Sequence, residues 1–177
     1  MVKALALSLG ESGKPIITKY QLGLILFGLY RRKEYKGEAI PQLQKDVADK
    51  ADFTKYLKLL IDDGVLAVSR DLPKGLFSLL GNTRRDAAEI ACIADPFAYV
   101  SHLSAMAYHG LTDRDPSKLF LSSPADKEWK QFAQTRMEKD LQGDFQLYCE
   151  QDFPPLLRPD MPKIGKTEVK LFCSKHH

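Results

Sequence analysis

The first third of the chain contains three apolar segments that fit helices. Residues Thr18–Lys33 place apolar side chains on nearly every side, between a capping threonine and three basic residues, which predicts a buried helix. A second helix is predicted over Ile40–Ala48. A third is predicted over Phe53–Asp62, capped by Asp52, because its apolar residues fall on one stripe.

The pattern changes to short apolar runs after the third helix. Val65–Ser69 and Leu76–Leu80 read as strands on either side of the turn Arg70–Gly75, which predicts a β-hairpin. A connecting helix capped by Thr83 is predicted over Arg84–Ile93. Three helices followed by a hairpin is the order of a winged helix-turn-helix domain, so we expect that domain here.

The second half alternates apolar runs with amphipathic helices, which predicts an α/β layer. Its helices are predicted at His102–His109, capped by Ser101, and from Ser123 to Leu141. Its strands are predicted at Phe97–Val100, Lys118–Leu121, Phe145–Cys149 and Glu168–Cys173. The expected fold class is α+β, with a winged helix-turn-helix domain at 15–82, a connecting helix or linker at 83–95 and a small α/β domain at 96–177.

Positive charge is concentrated in the first half. Residues 1–90 hold 15 Lys and Arg against 11 Asp and Glu, whereas residues 91–177 hold 11 against 12. This distribution favours a polyanionic partner. In a winged helix, the outer face of the third helix enters the major groove and the hairpin meets phosphates. The candidate DNA-binding residues are Lys50, Thr54, Lys55, Lys58, Arg70, Lys74, Arg84 and Arg85.

A second interpretation of this face stays open. Lysines on the outside of an amphipathic helix are usually solvated surface, and the same helices and hairpin also serve as protein-docking or dimerisation modules. Four aspartates, Asp49, Asp52, Asp62 and Asp63, surround the third helix and dilute its charge. The alternative function is therefore a non-catalytic protein-interaction module of a defence or restriction-associated system.

Patterns that suggest nucleotide or metal chemistry are incomplete. Gly165-Lys166-Thr167 is similar to the end of a phosphate-binding loop, but Asp160 stands where that loop needs a glycine, and a strand rather than a helix is expected next. His102 and His109 are seven residues apart, roughly 10 Å along a helix, so the two cannot easily share a metal ion. We expect no cofactor and no metal.

Hydrolytic chemistry has equally weak support. Ser101 precedes a histidine but lies outside any G-x-S-x-G elbow, and a helix cap explains it better. The polar cluster Asp113-Arg114-Asp115 is the best candidate site for an enzyme in the second half, although a solvated turn is the simpler interpretation. We therefore expect a regulator rather than an enzyme.

Cysteine usage and hydropathy indicate a cytoplasmic protein. Cys92, Cys149 and Cys173 form no C-x-x-C pair, and an odd number suits a reducing compartment. We expect these cysteines to be small buried side chains. The most apolar stretch, Tyr20–Tyr30, has 11 residues, against the roughly 20 needed to span a bilayer. No signal peptide is expected at Met1–Gly10.

Residues Phe97–Leu111 carry a family resemblance. This stretch has a strand, a Ser-Ala pair on a short helix and then His-Gly-Leu, and a strand such as Lys118–Leu121 follows. Together with the upstream winged helix, the pattern resembles the AbiEi-like antitoxins of type IV toxin–antitoxin systems. The resemblance implies a repressor that binds inverted repeats in double-stranded DNA at its own promoter, an arrangement that suits a homodimer on DNA.

The same resemblance implies a second activity in phage defence. Such proteins antagonise a nucleotidyltransferase-like toxin without forming a stable complex with it, and their second domain is associated with this neutralisation. That domain usually continues beyond a strand such as Val169–Phe172, whereas this sequence stops at His177. We therefore expect either a shortened member or part of a longer protein.

Overall fold

The computed structural model describes residues 1–41, 43–81 and 86–174, and for residue 174 it describes the backbone only. The fold is mixed α+β, as expected. The helices are α1 (Val2–Glu11), α2 (Lys19–Arg32), α3 (Lys50–Asp62), α4 (Ala87–Ala94), α5 (His102–Tyr108), α6 (Asp126–Leu141) and α7 (Phe145–Glu150). The strands are β1 (Ile16–Thr18), β2 (Glu34–Tyr35), β3 (Glu38–Ala39), β4 (Leu66–Ala67), β5 (Leu76–Leu79), β6 (Tyr99–Val100), β7 (Leu119–Pro124), β8 (Lys163–Ile164) and β9 (Thr167–Ser174).

Helix α2 forms where the pattern predicts it. The Thr18 hydroxyl accepts the backbone N–H of Gln21 at 3.1 Å, and the Gln21 side chain accepts the Thr18 N–H at 3.0 Å. This reciprocal cap satisfies two donors at the helix start. The helix ends at Lys33, whose φ of 56° is left-handed. Buried residues such as Leu22 and Leu26 make α2 the centre of the core, so the prediction of a buried helix is confirmed.

The expected second helix, Ile40–Ala48, is wrong. The segment forms the end of a β2–β3 hairpin and then irregular chain within its described residues. Asp49 explains the difference, because its carboxylate accepts the Asp52 N–H at 2.9 Å and starts α3 at Lys50, three residues before the expected start. The capping residue is extended, so Asp49 is not helical and marks the start of α3.

Helix α1, and not the predicted helix at Ile40–Ala48, joins α2 and α3 in the amino-terminal half. The sequence predicts no helix at Met1–Gly10, yet Leu5 and Leu9 are fully buried and α1 packs against α2 and α3. Strand β1 follows and pairs antiparallel with β5, which pairs antiparallel with β4 on its other edge. The predicted hairpin is confirmed, and it is part of a three-stranded sheet of order β1-β5-β4.

The second half is built on a four-stranded sheet of order β6-β7-β9-β8. Strands β7 and β9 run parallel, with α6 and α7 in the crossover between them. Two expectations are corrected. Ser123 and Pro124 end strand β7 instead of opening α6, and Phe145–Cys149 is helical instead of extended. The helix places Tyr148 in the core beside α2, a tertiary contact that overrides the β propensity of the segment.

Helices α6 and α7 share one hydrophobic core with the amino-terminal helices. Trp129, Met137 and Tyr148 belong to the same buried cluster as Leu22 and Phe27 of α2. The Phe27 and Tyr148 rings meet edge to face at 5.2 Å between centroids. The boundaries at 82 and 95 stay predictions, but residues on both sides of them are buried together.

A buried carboxylate ties α4 to the second sheet and to α6. Asp95 is fully buried and accepts the Ser123 hydroxyl at 2.8 Å, the Trp129 indole N–H at 2.8 Å and the Phe97 N–H at 3.1 Å. The Arg158 Nε lies 3.6 Å from the Asp95 Oδ2, the oxygen that also accepts the Ser123 hydroxyl. Buried charges are tolerated only with such partners, so this network fixes how the elements meet.

Several smaller expectations have mixed outcomes. Helix α4 begins at Ala87 and is capped by Asp86. Thr83, which the sequence predicts as its cap, lies outside the described residues.

The expectation of buried thiols is wrong for Cys149 and Cys173, which are exposed. Cys92 is half-buried, and burial raises the pKa of its thiol. Within the described ranges, no helix combines the length and apolar content needed to cross a membrane.

Candidate nucleic-acid interface

Helix α3 turns an apolar face inward and a polar face outward. Phe53 and Leu60 are buried, as the stripe predicted. The outward face carries four exposed candidate residues, Lys50, Thr54, Lys55 and Lys58. Their exposure follows from the helical period, because residues one turn apart share a face.

The start of α3 is held by a charged cap. Asp49 and Asp52 each accept a bond from the Lys45 ammonium at 2.9 Å. The Asp52 backbone N–H, and then Lys45, hold the pKa of the Asp49 carboxyl below its usual range. Lys45 offsets one of the two negative charges of Asp49 and Asp52, and the carboxylates also suit the positive end of the helix dipole.

The β4–β5 hairpin carries two exposed cations. Arg70 and Lys74 are exposed, whereas Pro73 between them is buried. The Gly165 N–H, from the β8–β9 turn, donates to the Asp71 carbonyl at 2.8 Å. This backbone hydrogen bond links the tip of the hairpin to the second half of the chain.

An open groove of about 680 Å³ lies between α3, the hairpin and the start of α2. It brings together three candidates, Lys50, Thr54 and Lys74, and adds Lys19 at the first position of α2. Lys55, Lys58 and Arg70 do not line it. Arg84 and Arg85 lie outside the described residues. The candidate set is thus one groove with further cations on the adjoining surface of α3 and the hairpin.

The cations of this surface differ in whether their side chains already have an interaction partner. Among the described residues, no ion-pair partner is found for Lys19, Lys58 or Lys74. The Lys55 ammonium lies 5.5 Å from the Tyr56 ring centroid, a cation–π contact. The Lys50 ammonium is 3.2 Å from an Asp152 carboxylate oxygen. Unpaired lysines are free to neutralise phosphates, whereas Lys50 must first leave its partner.

The sequence pattern missed two contributors to this surface. Lys19 directly follows the Thr18 cap, so its position at the start of a helix was readable, but β1 was needed to place that start beside the hairpin. Residues 152–160 also border the groove. No local signal could have indicated this, because they are about a hundred residues away from α3 in sequence.

Enzyme candidates in the second half lack a shared site among the described residues. Asp113, Arg114 and Asp115 are exposed, and the Arg114 N–H bonds to Thr112 in a local turn. The strand expected after Gly165-Lys166 is confirmed as β9. Within the described ranges, no three metal-ligating side chains come together.

Ser101 stands at the start of α5 as expected, but its side chain does not cap the helix. It lies 2.8 Å from the His102 Nδ1 and accepts the Ser122 hydroxyl at 2.9 Å. His102 has a left-handed φ of 50° and stacks on Phe172 at 4.3 Å between ring centroids. These contacts join α5 to strands β7 and β9.

The chain has no match in three comparisons with known proteins. No family model, curated protein or solved structure matches the chain. The grouping of cations around α3 and the hairpin is a property of this chain's own residues and contacts.

Proposed function

We propose that the chain is a DNA-binding transcriptional autorepressor. Its winged helix-turn-helix, predicted at 15–82, extends toward the amino terminus so that α1 (Val2–Glu11) is its first helix. The observation that carries the proposal is the element order α1-β1-α2-β2-β3-α3-β4-β5, in which a small β2–β3 hairpin separates α2 from α3, with the sheet order β1-β5-β4. In that arrangement α3 is the reading helix and the β4–β5 hairpin is the wing.

The charges fit this role. Lys55, Lys58, Arg70 and Lys74 are all exposed. Lys74 lines the groove together with Lys19, whereas Lys55 and Lys58 lie on α3 outside the groove. Lysine and arginine contacts to phosphates provide affinity by releasing counterions, independent of sequence. Thr54 is exposed at the middle of this face and is the best-placed side chain for a base edge.

The antitoxin role is proposed from the family resemblance alone. On that basis the second half, from residue 96, antagonises a nucleotidyltransferase-like toxin without a stable complex, and the chain acts in the cytoplasm on its own promoter as a phage-defence regulator. The resemblance covers most of residues 15–177, and its Phe97–Leu111 motif includes β6 and α5.

A protein-interaction module is the second candidate, and one observation favours it. Val68 and Leu80, at the outer ends of β4 and β5, are 71% and 63% exposed. The register places Leu80 opposite Val65 and Val68 beyond the Ala67–Ser78 pair, so the two side chains lie at opposite ends of the hairpin strands. Phosphate binding explains neither of them.

A salt series separates these candidates. Fluorescence anisotropy would follow binding to a duplex of the upstream promoter region between about 50 and 200 mM salt. Several phosphate contacts give a steep fall in affinity, with a logarithmic slope near −0.9 per contact. Absence of duplex binding at the lowest salt would overturn the repressor proposal and favour the interaction module.

A further inference from the structure

The groove between α3 and the hairpin has an acidic border that comes from the second half of the chain. Asp152 and Asp160 line it together with Lys19, Lys50 and Lys74. We propose that this groove seats one sugar–phosphate strand of duplex DNA and that Asp152 withholds Lys50 from it, so that the second half lowers the DNA affinity of the first. This inference rests on the proposed function.

Lys50 is the cation that Asp152 controls. Its ammonium lies 3.2 Å from the Asp152 carboxylate oxygen, and it occupies the first turn of α3. Thr54, one turn later, donates its hydroxyl to the Lys50 carbonyl at 2.9 Å. Lys50 and Thr54 therefore stand on the same side of α3, facing the groove, where a phosphate and a base edge of one strand would be adjacent.

The position of Asp152 is fixed by its neighbour rather than by the ion pair. Phe153 is buried, and its ring meets Phe27, Phe53 and Tyr148 at 5.6, 6.0 and 5.0 Å between centroids. Asp152 has a left-handed φ of 57°, a conformation that Asp and Asn tolerate better than other side chains. An asparagine at 152 therefore keeps the backbone and removes the charge.

The ion pair is weak enough to be exchanged. The Lys50 and Asp152 side chains are 69% and 74% exposed, and exposed pairs of this kind contribute little to stability. A phosphate therefore competes with the Asp152 carboxylate for the Lys50 ammonium. Asp152 reduces DNA affinity both by this competition and by repelling the strand, and the two contributions can be separated.

The test uses the full chain and a fluorescein-labelled duplex of about 30 mixed-sequence base pairs, because phosphate contacts dominate non-specific binding. The Asp152→Asn protein should bind about three- to tenfold more tightly at about 50 mM salt, with a salt slope steeper by up to about 0.9. In the Lys50→Gln background the gain from Asp152→Asn should be clearly smaller, because only the loss of repulsion remains. Asp160→Asn is the matched control, since it removes an exposed charge from the same groove without freeing a lysine.

Each result decides the matter. Equal or weaker binding by Asp152→Asn overturns the inference while the wild-type affinity still supports the repressor. An undiminished gain in the Lys50→Gln background, or an equal gain from Asp160→Asn, shows general repulsion and overturns the role of Lys50. If neither the wild type nor Asp152→Asn binds the duplex, the proposed function itself fails. Thermal melts of all variants verify that each is folded.

Discussion

The hydroxyl of Tyr148 stands against the backbone of Gly23, so closely that a Cβ on that glycine would lie 2.5 Å from the phenolic oxygen. The same hydroxyl donates to the Pro154 carbonyl at 2.8 Å. Helices α2 and α7 meet at this point, and burial raises the pKa of the Tyr148 phenol well above its usual value. The contact therefore joins the two halves of the chain through a neutral, hydrogen-bonded tyrosine.

Gly23→Ala should destabilise the protein by about 1–3 kcal/mol, because the added methyl group forces Tyr148 or α2 to move in a packed core. The better helix propensity of alanine offsets part of this cost. Gly28→Ala is the control on the same helix, since its Cβ would meet only the flexible end of Arg32. That variant should be neutral or more stable by up to about 1 kcal/mol. Urea unfolding measures both, and equal stabilities would contradict the close contact at Gly23.

The Asp95 network should be the most sensitive polar site in the second half. Asp95→Ala leaves the Arg158 guanidinium without its buried counter-charge and should lower the free energy of unfolding by about 3–5 kcal/mol. Asp126 pairs with the same arginine at 2.7 Å but is 88% exposed, so Asp126→Ala should cost less than about 1 kcal/mol. Chemical denaturation compares the two, and a similar small loss in both would refute a structural role for Asp95.

The α3 cap should give a stability contribution that depends on pH. Asp49→Ala removes the acceptor for the Asp52 N–H and should cost about 1 kcal/mol at pH 7. Because the pKa of folded Asp49 is lowered, the charged cap stabilises fully above the unfolded value of 3.8 and is lost as pH falls through the lower folded pKa. The difference from wild type should therefore shrink only below about pH 4. Asp62→Ala, at the other end of α3, is the control and should be neutral, since no cap is removed. A pH-independent difference would contradict this account.

Charge reversal on the proposed DNA face should weaken binding without unfolding the protein. Lys58→Glu and Lys74→Glu change exposed side chains on α3 and the hairpin, and such substitutions usually alter stability by less than about 0.5 kcal/mol. Lys3→Glu makes the same change in charge on the exposed face of α1 and should leave affinity nearly unchanged. Gel shifts and thermal melts on the same samples provide the measurement. Unchanged shifts for both α3 and hairpin variants would mean that DNA binds elsewhere or not at all.

Repression and toxin neutralisation should separate if the division of roles is right. Lys55→Glu combined with Lys58→Glu should abolish repression and spare neutralisation, because these charges lie on α3 and the second role is assigned to the second half. A two-plasmid assay scores promoter output and growth under toxin expression in the same cells. Loss of both activities in a folded, abundant protein would argue against the division.

Local patterns were sufficient where an element is defined by its own residues. The Thr18 cap and apolar middle of α2, the stripe of α3, and the β4–β5 hairpin all follow from spacing and capping chemistry. The exposed lysines of α3 follow from the same helical period. These features are determined within a few residues of sequence, so the sequence alone determined the mixed fold and most of the candidate cations.

Tertiary structure decided the features that depend on distant contacts. Phe145–Cys149 has strand-like composition but becomes helical because Tyr148 fits against α2. Ser123 belongs to β7 because it pairs with Cys173 of the distant strand β9. Lys50 precedes the predicted start of the third helix at Phe53, yet it begins α3, and its partner Asp152 lies 102 residues away. Hydrophobic burial and charge pairing act through space, so only the folded chain shows which residues border the groove and which cation within it is already engaged.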